Sequence, residues 1–161
     1  MQLKNQVEWA LHCCSILSGL PEGRYLDTKS LAELHGVPKE YLSKALQALS
    51  KAKLVESTLG PSGGYRLARA PADITFWDVV SAVEGPGPAF VCTEIRKNNP
   101  CRSKDACDVQ ACVVARVMWD AEAAWRDKLR SVNLAELSRT VHEEVPEELM
   151  KATADWVAAR S

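Results

Sequence analysis

The feature that most restricts this chain is a glycine-rich turn between two short β-prone runs. Leu54-Val55-Glu56-Ser57-Thr58 and Tyr65-Arg66-Leu67-Ala68 flank Gly60-Pro61-Ser62-Gly63-Gly64, a pattern that predicts a two-stranded hairpin. A lone hairpin is at best marginally stable in water, so this one must pack against something. The preceding residues supply helices. Over 38–52, Tyr41, Leu42, Ala45, Leu46 and Leu49 recur at three and four, leaving Lys39, Ser43, Lys44 and Gln47 on the other face. Gly36-Val37-Pro38 is a tight turn with proline placed for the first turn of that helix. Asp27 or Thr28 can cap a shorter helix near 28–35, which holds Leu31, Ala32 and Leu34. Residues 4–18 read as a further helix, with Val7, Leu11 and Cys14 on one stripe, ended by Gly19 and Pro21-Glu22-Gly23. Helix, short helix, tight turn, helix, hairpin is the order of a winged helix-turn-helix.

The rest of the chain is helical in pattern. Thr75-Phe76-Trp77-Asp78 resembles a capping box opening a helix to about Glu84, and Gly85-Pro86-Gly87-Pro88 ends it. Residues 89–106 lack periodicity and are expected to be loop. A long amphipathic helix is expected over about 107–130, with Val114, Val117, Met118, Ala121, Trp125 and Leu129 on a seam, followed by shorter helices at 134–142 and 146–159. The fold class is mostly α with a small β-hairpin. The expected organisation is a DNA-binding unit over 1–84, a cysteine loop over 85–111, and a dimerisation helix with C-terminal helices over 112–161. Tryptophans 9, 77, 119, 125 and 156 suit core and dimer packing. No apolar run approaches the roughly 18–20 residues needed to span a bilayer, so a cytoplasmic protein without membrane contact is expected. No nucleophile–base motif, phosphate loop or cofactor fingerprint stands out, and catalysis is not expected.

A net charge of −1 does not advertise a nucleic-acid partner, but its distribution is uneven. Residues 28–70 hold seven basic residues against three glutamates, a local charge of +4; residues 134–161 hold three basic against six acidic residues, a local charge of −3. A helix entering the major groove needs short polar and basic side chains outward near its N-terminal end. Lys39, Glu40, Tyr41, Ser43, Lys44 and Gln47 meet that need. The turn adds backbone N–H groups, with Ser62 and Gly63 at its centre, and Arg66 adds a cation for phosphates. The partner expected is a near-palindromic double-stranded operator met by a homodimer, since the long seam needs a mate and such readers meet two half-sites.

Six cysteines stand at 13, 14, 92, 101, 107 and 112, the last four within a stretch of 21 residues. In a chain expected to be cytosolic, such a cluster reads as metal-binding or redox-active rather than as a disulfide framework. Its spacing is neither a ferredoxin run nor a paired Cys-x-x-Cys zinc site. Cys14 lies on the apolar stripe and is expected in the core. Glu8 and His12 stand one helical turn apart and share a face. Only His12, His35 and His142 are available for a three-histidine zinc site, and a place at a helix end explains His35 as a capping residue.

Tyr41-Leu42, Leu49, Leu54-Val55, the run Gly60-Pro61-Ser62-Gly63-Gly64-Tyr65-Arg66-Leu67, Ile74-Thr75, Asp78-Val79-Val80 and Ala82-Val83-Glu84-Gly85 together resemble the winged-helix iron–sulfur transcription regulators that include IscR, NsrR and RsrR. With the cysteine loop and the long helix, the resemblance covers about residues 1–140. It is closest to the redox-sensing member RsrR, through Val7-Glu8-Trp9-Ala10-Leu11-His12-Cys13-Cys14, Phe90-Val91-Cys92-Thr93-Glu94-Ile95-Arg96 and Ala111-Cys112-Val113-Val114-Ala115-Arg116. The resemblance implies a 2Fe–2S cluster held by Glu8 and His12 of one subunit and two loop cysteines of the other, its redox state setting DNA affinity. The last thiol ligand in the family lies six residues before a large apolar residue, which Cys112 and Met118 match, and its partner lies about five residues earlier, which implies Cys107. Cys101 and Cys92 are the replacements, in that order. One departure is that several family members carry an arginine before the turn Gly-Pro that enters the minor groove; this chain has Leu59. The alternative functions are a cluster-free regulator switched by cysteine oxidation or zinc, and a cluster-loss sensor of nitric oxide or iron–sulfur status.

Overall fold

The structure is a computed structural model describing residues 2–60, 63–103 and 110–161. Compactness divides these into two units: residues 2–86 with 129–161, and residues 87–128.

The first unit is built on helices α1 (Asn5–Ser18), α2 (Thr28–His35) and α3 (Lys39–Lys51) and a hairpin of β1 (Val55–Thr58) and β2 (Gly64–Leu67). Asp27 caps α2, its carboxylate accepting from the amides of Lys29 and Ser30. Gly36 ends that helix in the left-handed region at φ 62°, and Pro38 then opens α3. The strands pair antiparallel with Val55 opposite Leu67, Glu56 opposite Arg66 and Ser57 opposite Tyr65. The stretch before α2 joins them, because Leu26 and Tyr65 exchange backbone hydrogen bonds of 3.0 and 2.9 Å. Gly64 is required there: a Cβ on it would sit 2.5 Å from the Leu26 carbonyl oxygen and 2.7 Å from the Asp27 nitrogen.

Helix α4 (Phe76–Glu84) starts at a full capping box between Thr75 and Asp78. Helices α6 (Leu134–Glu144) and α7 (Glu147–Ala158) complete the unit; α6 has its own capping box between Asn133 and Glu136. The core gathers Ala10, Cys13, Cys14 and Leu17 of α1, Leu31 of α2, Leu42, Leu46 and Leu49 of α3, Leu54 and Val55 at β1, Ile74, Val79 and Leu134. Cys14 is in the core as expected, and Cys13 is equally buried. Burial pushes both thiols up to about 12, so neither is a ready nucleophile or ligand at neutral pH.

The second unit holds a 3-10 turn (Ile95–Asn98) and α5 (Val113–Arg130), whose last two residues belong to the first unit. The expected long helix begins six residues later than its apolar pattern suggested. Cys112 accepts the first helical hydrogen bond, from the amide of Arg116 at 3.0 Å; residues 110–112 are not helical, and residues 107–109 of the expected start lie outside the described residues. The 3-10 turn was not foreseen; Glu94, with φ 53°, precedes it. Among the described residues, no helix is long and apolar enough to cross a membrane.

Candidate DNA-reading face and metal-ligand residues

Helix α3 buries one face and offers the other. Leu42, Ala45, Leu46 and Leu49 are buried, while Lys39, Glu40, Tyr41, Lys44 and Gln47 are exposed and Ser43 is half-buried. Tyr41, counted with the apolar repeat in the sequence, lies 53% exposed on the outer face. Lys44 holds its ammonium 5.7 Å from the Tyr41 ring centroid, and Ser43 donates to the Lys39 carbonyl at 2.8 Å. All six expected α3 residues therefore lie on one strip running from the helix N-terminus.

The wing is less simply arranged. Ser62 lies outside the described residues. Gly63 is half-buried and closes the turn by donating to the Gly60 carbonyl at 2.9 Å. Arg66 is already engaged: it forms an ion pair with Glu56 across the strands and stacks its guanidinium 4.9 Å from the Tyr25 ring centroid. The Tyr25 hydroxyl in turn donates to Glu56 at 3.3 Å. The Arg66 hydrogen bond holds the Glu56 carboxyl below its ordinary range. Sequence reasoning missed Tyr25 and Glu56. The Glu56–Arg66 pairing was available in principle, because a turn centred on residues 60–62 places 56 opposite 66; nothing in the pattern marked Tyr25.

On α1, Glu8 and His12 share the exposed face, opposite buried Ala10, Cys13, Cys14 and Leu17. Among the described residues the Glu8 carboxylate takes no hydrogen bond or ion pair. The His12 ring lies 5.8 Å, centroid to centroid, from that of His35. His35 lies in the last turn of α2, as expected; burial and the neighbouring His12 lower its pKa, and its Nε2 is buried without a hydrogen-bond partner among the described residues.

The loop thiols lie in the second unit. Cys112 is half-buried at the start of α5 and Cys101 is exposed. Cys92 is half-buried, and the Glu94 amide donates to its sulfur at 3.4 Å. Glu94 is held by Arg96 at 2.7 Å, and Arg96 also donates to the Gln110 carbonyl at 2.9 Å. Cys107 lies outside the described residues. Among the described residues no three His, Cys, Asp or Glu side chains converge on a point where a metal ion could sit. The donor types, thiols with an exposed imidazole and an exposed carboxylate, fit an iron–sulfur cluster.

Residues 3–140 match the Rrf2 family model, described as an iron-dependent transcriptional regulator. The protein rrf2 of Nitratidesulfovibrio vulgaris is 38% identical over 112 residues, 69% of each chain. The transcriptional regulator NsrR of Shouchella clausii is 27% identical over 137 residues, covering 85% of this chain and 88% of that one. Two solved structures share the fold. CymR, the global cysteine regulator of B. subtilis, has a TM-score of 0.68 at 23% identity, covering 87% of this chain and 98% of that one. T. potens IscR has a TM-score of 0.68 at 22% identity, covering 94% and 96%. A winged helix-turn-helix with a polar, basic outer face on α3, together with a family match spanning most of the sequence, establishes that this chain belongs to the Rrf2 family of DNA-binding transcriptional regulators.

Proposed function

We propose that the chain is a homodimeric regulator of a near-palindromic operator whose DNA affinity follows the redox state of a 2Fe–2S cluster. The observation that carries the cluster reading is the pairing of Glu8 and His12 on the solvent face of α1, with no partner for the carboxylate among the described residues. An exposed carboxylate and imidazole at this spacing offer one oxygen and one nitrogen donor in the same direction. Glu8, His12, Cys107 and Cys112 are the ligands in this reading, the thiols coming from the other subunit. Among the described thiols, Cys92 is the replacement best prepared for Cys107: its sulfur already accepts an N–H bond, and such bonds tune clusters. Exposed Cys101 has no such bond, so Cys92 passes ahead of it. When bound, the cluster supplies a one-electron couple. Helix α1 packs against α3 and α4, so whatever displaces Glu8 or His12 is felt by the reading helix.

In this division residues 1–84 read DNA, 85–111 carry the loop thiols, and 112–161 supply the pairing helix and C-terminal helices. Dimerisation rests on α5, where Val113, Val114 and Val117 are more than 60% exposed and Met118 and Trp119 more than 40%; an apolar stripe of that kind calls for a mate.

Exposed Cys101 supports a second reading, a cluster-free regulator switched by thiol oxidation. So does the shared fold with Staphylococcus aureus CymR, solved in an oxidised form (TM-score 0.63). Anaerobic purification with iron and sulfide analysis separates the two. The cluster reading expects two irons and two sulfides per cluster, visible charge-transfer bands, and loss of both in Cys112→Ala and in either Glu8→Ala or His12→Ala. A colourless protein whose operator affinity responds to peroxide and dithiothreitol supports the thiol switch. Cys107→Ala and Cys92→Ala, compared for iron content, identify the fourth ligand. Operator affinity measured for oxidised and reduced holo-protein at constant iron content tests redox control; equal affinities, with release only on cluster loss, point to a loading sensor of nitric oxide or iron–sulfur status.

A further inference from the structure

The turn of the wing carries no cation of its own. Residues 57–65 contain neither lysine nor arginine, and the arginine that follows, Arg66, is neutralised by Glu56 and stacked on Tyr25. Just past β1 stands Leu59, 99% exposed, immediately before Gly60, whose φ of 113° turns the chain. A single exposed leucine is ordinary on a protein surface. Here it stands directly after β1, on the element that a winged helix lays against DNA.

We infer that Leu59 is a specificity-determining residue that enters the minor groove beside the α3 contact as an apolar wedge and selects A·T pairs there. This rests on the DNA-binding reading of the chain. Two physical arguments fix the chemistry. First, an uncharged side chain gains little from phosphates, so the binding energy of the Leu59 side chain must come from apolar area removed from water, as with the aliphatic wedges of minor-groove proteins. Second, a G·C pair places the guanine N2 amino group on the minor-groove floor, whereas A·T pairs leave it clear. Leucine cannot accept a hydrogen bond from that amino group, so burying it against G·C leaves a donor unpaired and holds the side chain off the floor. An arginine at the same place would be governed by charge and groove width. Phosphate attraction then falls mainly to the helices, on which Lys29, Lys39, Lys44 and Lys51 are exposed.

The test uses the full-length dimer and operator duplexes differing only in the pairs flanking the α3 contact. Wild type is expected to bind A·T flanks several-fold more tightly than G·C flanks. Inosine·C flanks, which lack the N2 amino group, are expected to bind like A·T. Leu59→Ala removes about three buried carbon groups' worth of contact, an expected loss of about tenfold if half of that area is buried, with the salt slope unchanged and the A·T preference flattened. Leu59→Arg is expected to steepen the slope of log K against log salt by about one unit per wing. If Leu59→Ala binds every flank as wild type does, or if inosine·C behaves like G·C, the wedge is wrong. If Lys44→Ala also leaves affinity unchanged and wild type retains no duplex, the DNA-binding reading itself has failed.

Discussion

Gly64→Ala tests how the wing is joined to the reading head. The backbone of Gly64 is not in the left-handed region, so alanine is sterically allowed there on its own account; what it meets is the backbone of Leu26 and Asp27, at 2.5 Å for the Leu26 oxygen and 2.7 Å for the Asp27 nitrogen. Neither is the movable end of a side chain. The chain must part, and the first casualties are the two backbone hydrogen bonds between Leu26 and Tyr65, of 3.0 and 2.9 Å. Each contributes about 1 kcal/mol net. Asp27 follows directly and caps α2; disturbing a cap costs up to about 1 kcal/mol more. The sum is about 2–3 kcal/mol, which for a chain of this size lowers Tm by roughly 5–10 °C. Urea and thermal unfolding followed by circular dichroism measure it. Gly87→Ala is the control, since nothing lies within 4 Å of its Cβ, and a change within about 0.5 kcal/mol is expected there. Operator affinity is expected to fall with Gly64→Ala even at temperatures where the protein is folded. A Gly64→Ala protein as stable as the Gly87→Ala control refutes the bridge between the wing and the segment before α2.

Lys53 holds φ 56° at the end of α3, where its amide bonds to the Ser50 carbonyl and the Leu54 amide to the Leu49 carbonyl, both at 3.0 Å. This cap usually carries glycine, so Lys53→Gly is expected to stabilise by about 0.5–1 kcal/mol after the added freedom of the unfolded chain is counted; a destabilised variant in urea titration contradicts it. For Asp27, burial pushes the carboxyl up, but the hydrogen bonds from the Ser30 hydroxyl and from the Ser30 and Lys29 amides outweigh it and leave the carboxyl below its ordinary range. Its contribution is therefore full above about pH 4, the unfolded carboxylate value, and disappears as pH falls through the folded value. The stability difference between wild type and Asp27→Asn is expected to shrink on acidification through that window, and a difference that grows there is the contrary result. Native protein is expected to label with a thiol reagent at exposed Cys101 and not at Cys13 or Cys14, whose thiols are pushed up to about 12; labelling of the last two without denaturant, read by peptide mass, overturns their burial.

What the sequence disclosed was whatever follows from local pattern. The Thr75–Asp78 box, the Asp27 cap and the Gly36 turn were legible because each solves a local backbone problem with side chains three or so residues away. The outer strip of α3 was legible by the same logic, since helical period alone separates it from Leu42, Ala45, Leu46 and Leu49. Tyr41 was ambiguous because an aromatic ring suits either face. The start of α5 was misread because apolar spacing says which face is buried and little about where the first hydrogen bond forms. The partnerships were not legible. Tyr25 meets Arg66 only because Leu26 pairs with Tyr65, a bond between segments 39 residues apart in sequence, and His12 meets His35 only because α1 and α2 fold together.

The same distinction explains how a chain with net charge −1 and pI near 6.3 serves as a DNA reader. Net charge governs solubility and long-range steering; affinity depends on cations free to meet phosphate. Counting residues 28–70 gives a surplus of +4, but the count treats every cation alike. Arg66 is cancelled within the wing by Glu56, and Arg69 is turned back to the Lys53 carbonyl at 3.2 Å. Lys29, Lys39, Lys44 and Lys51 remain exposed on the two helices of the reading head. The electrostatic surface is thus narrower than the sequence suggests and lies on the helices rather than the hairpin. A turn without a cation of its own adds to recognition through its backbone amides, its shape and apolar contact, and the last of these is the part inferred for Leu59.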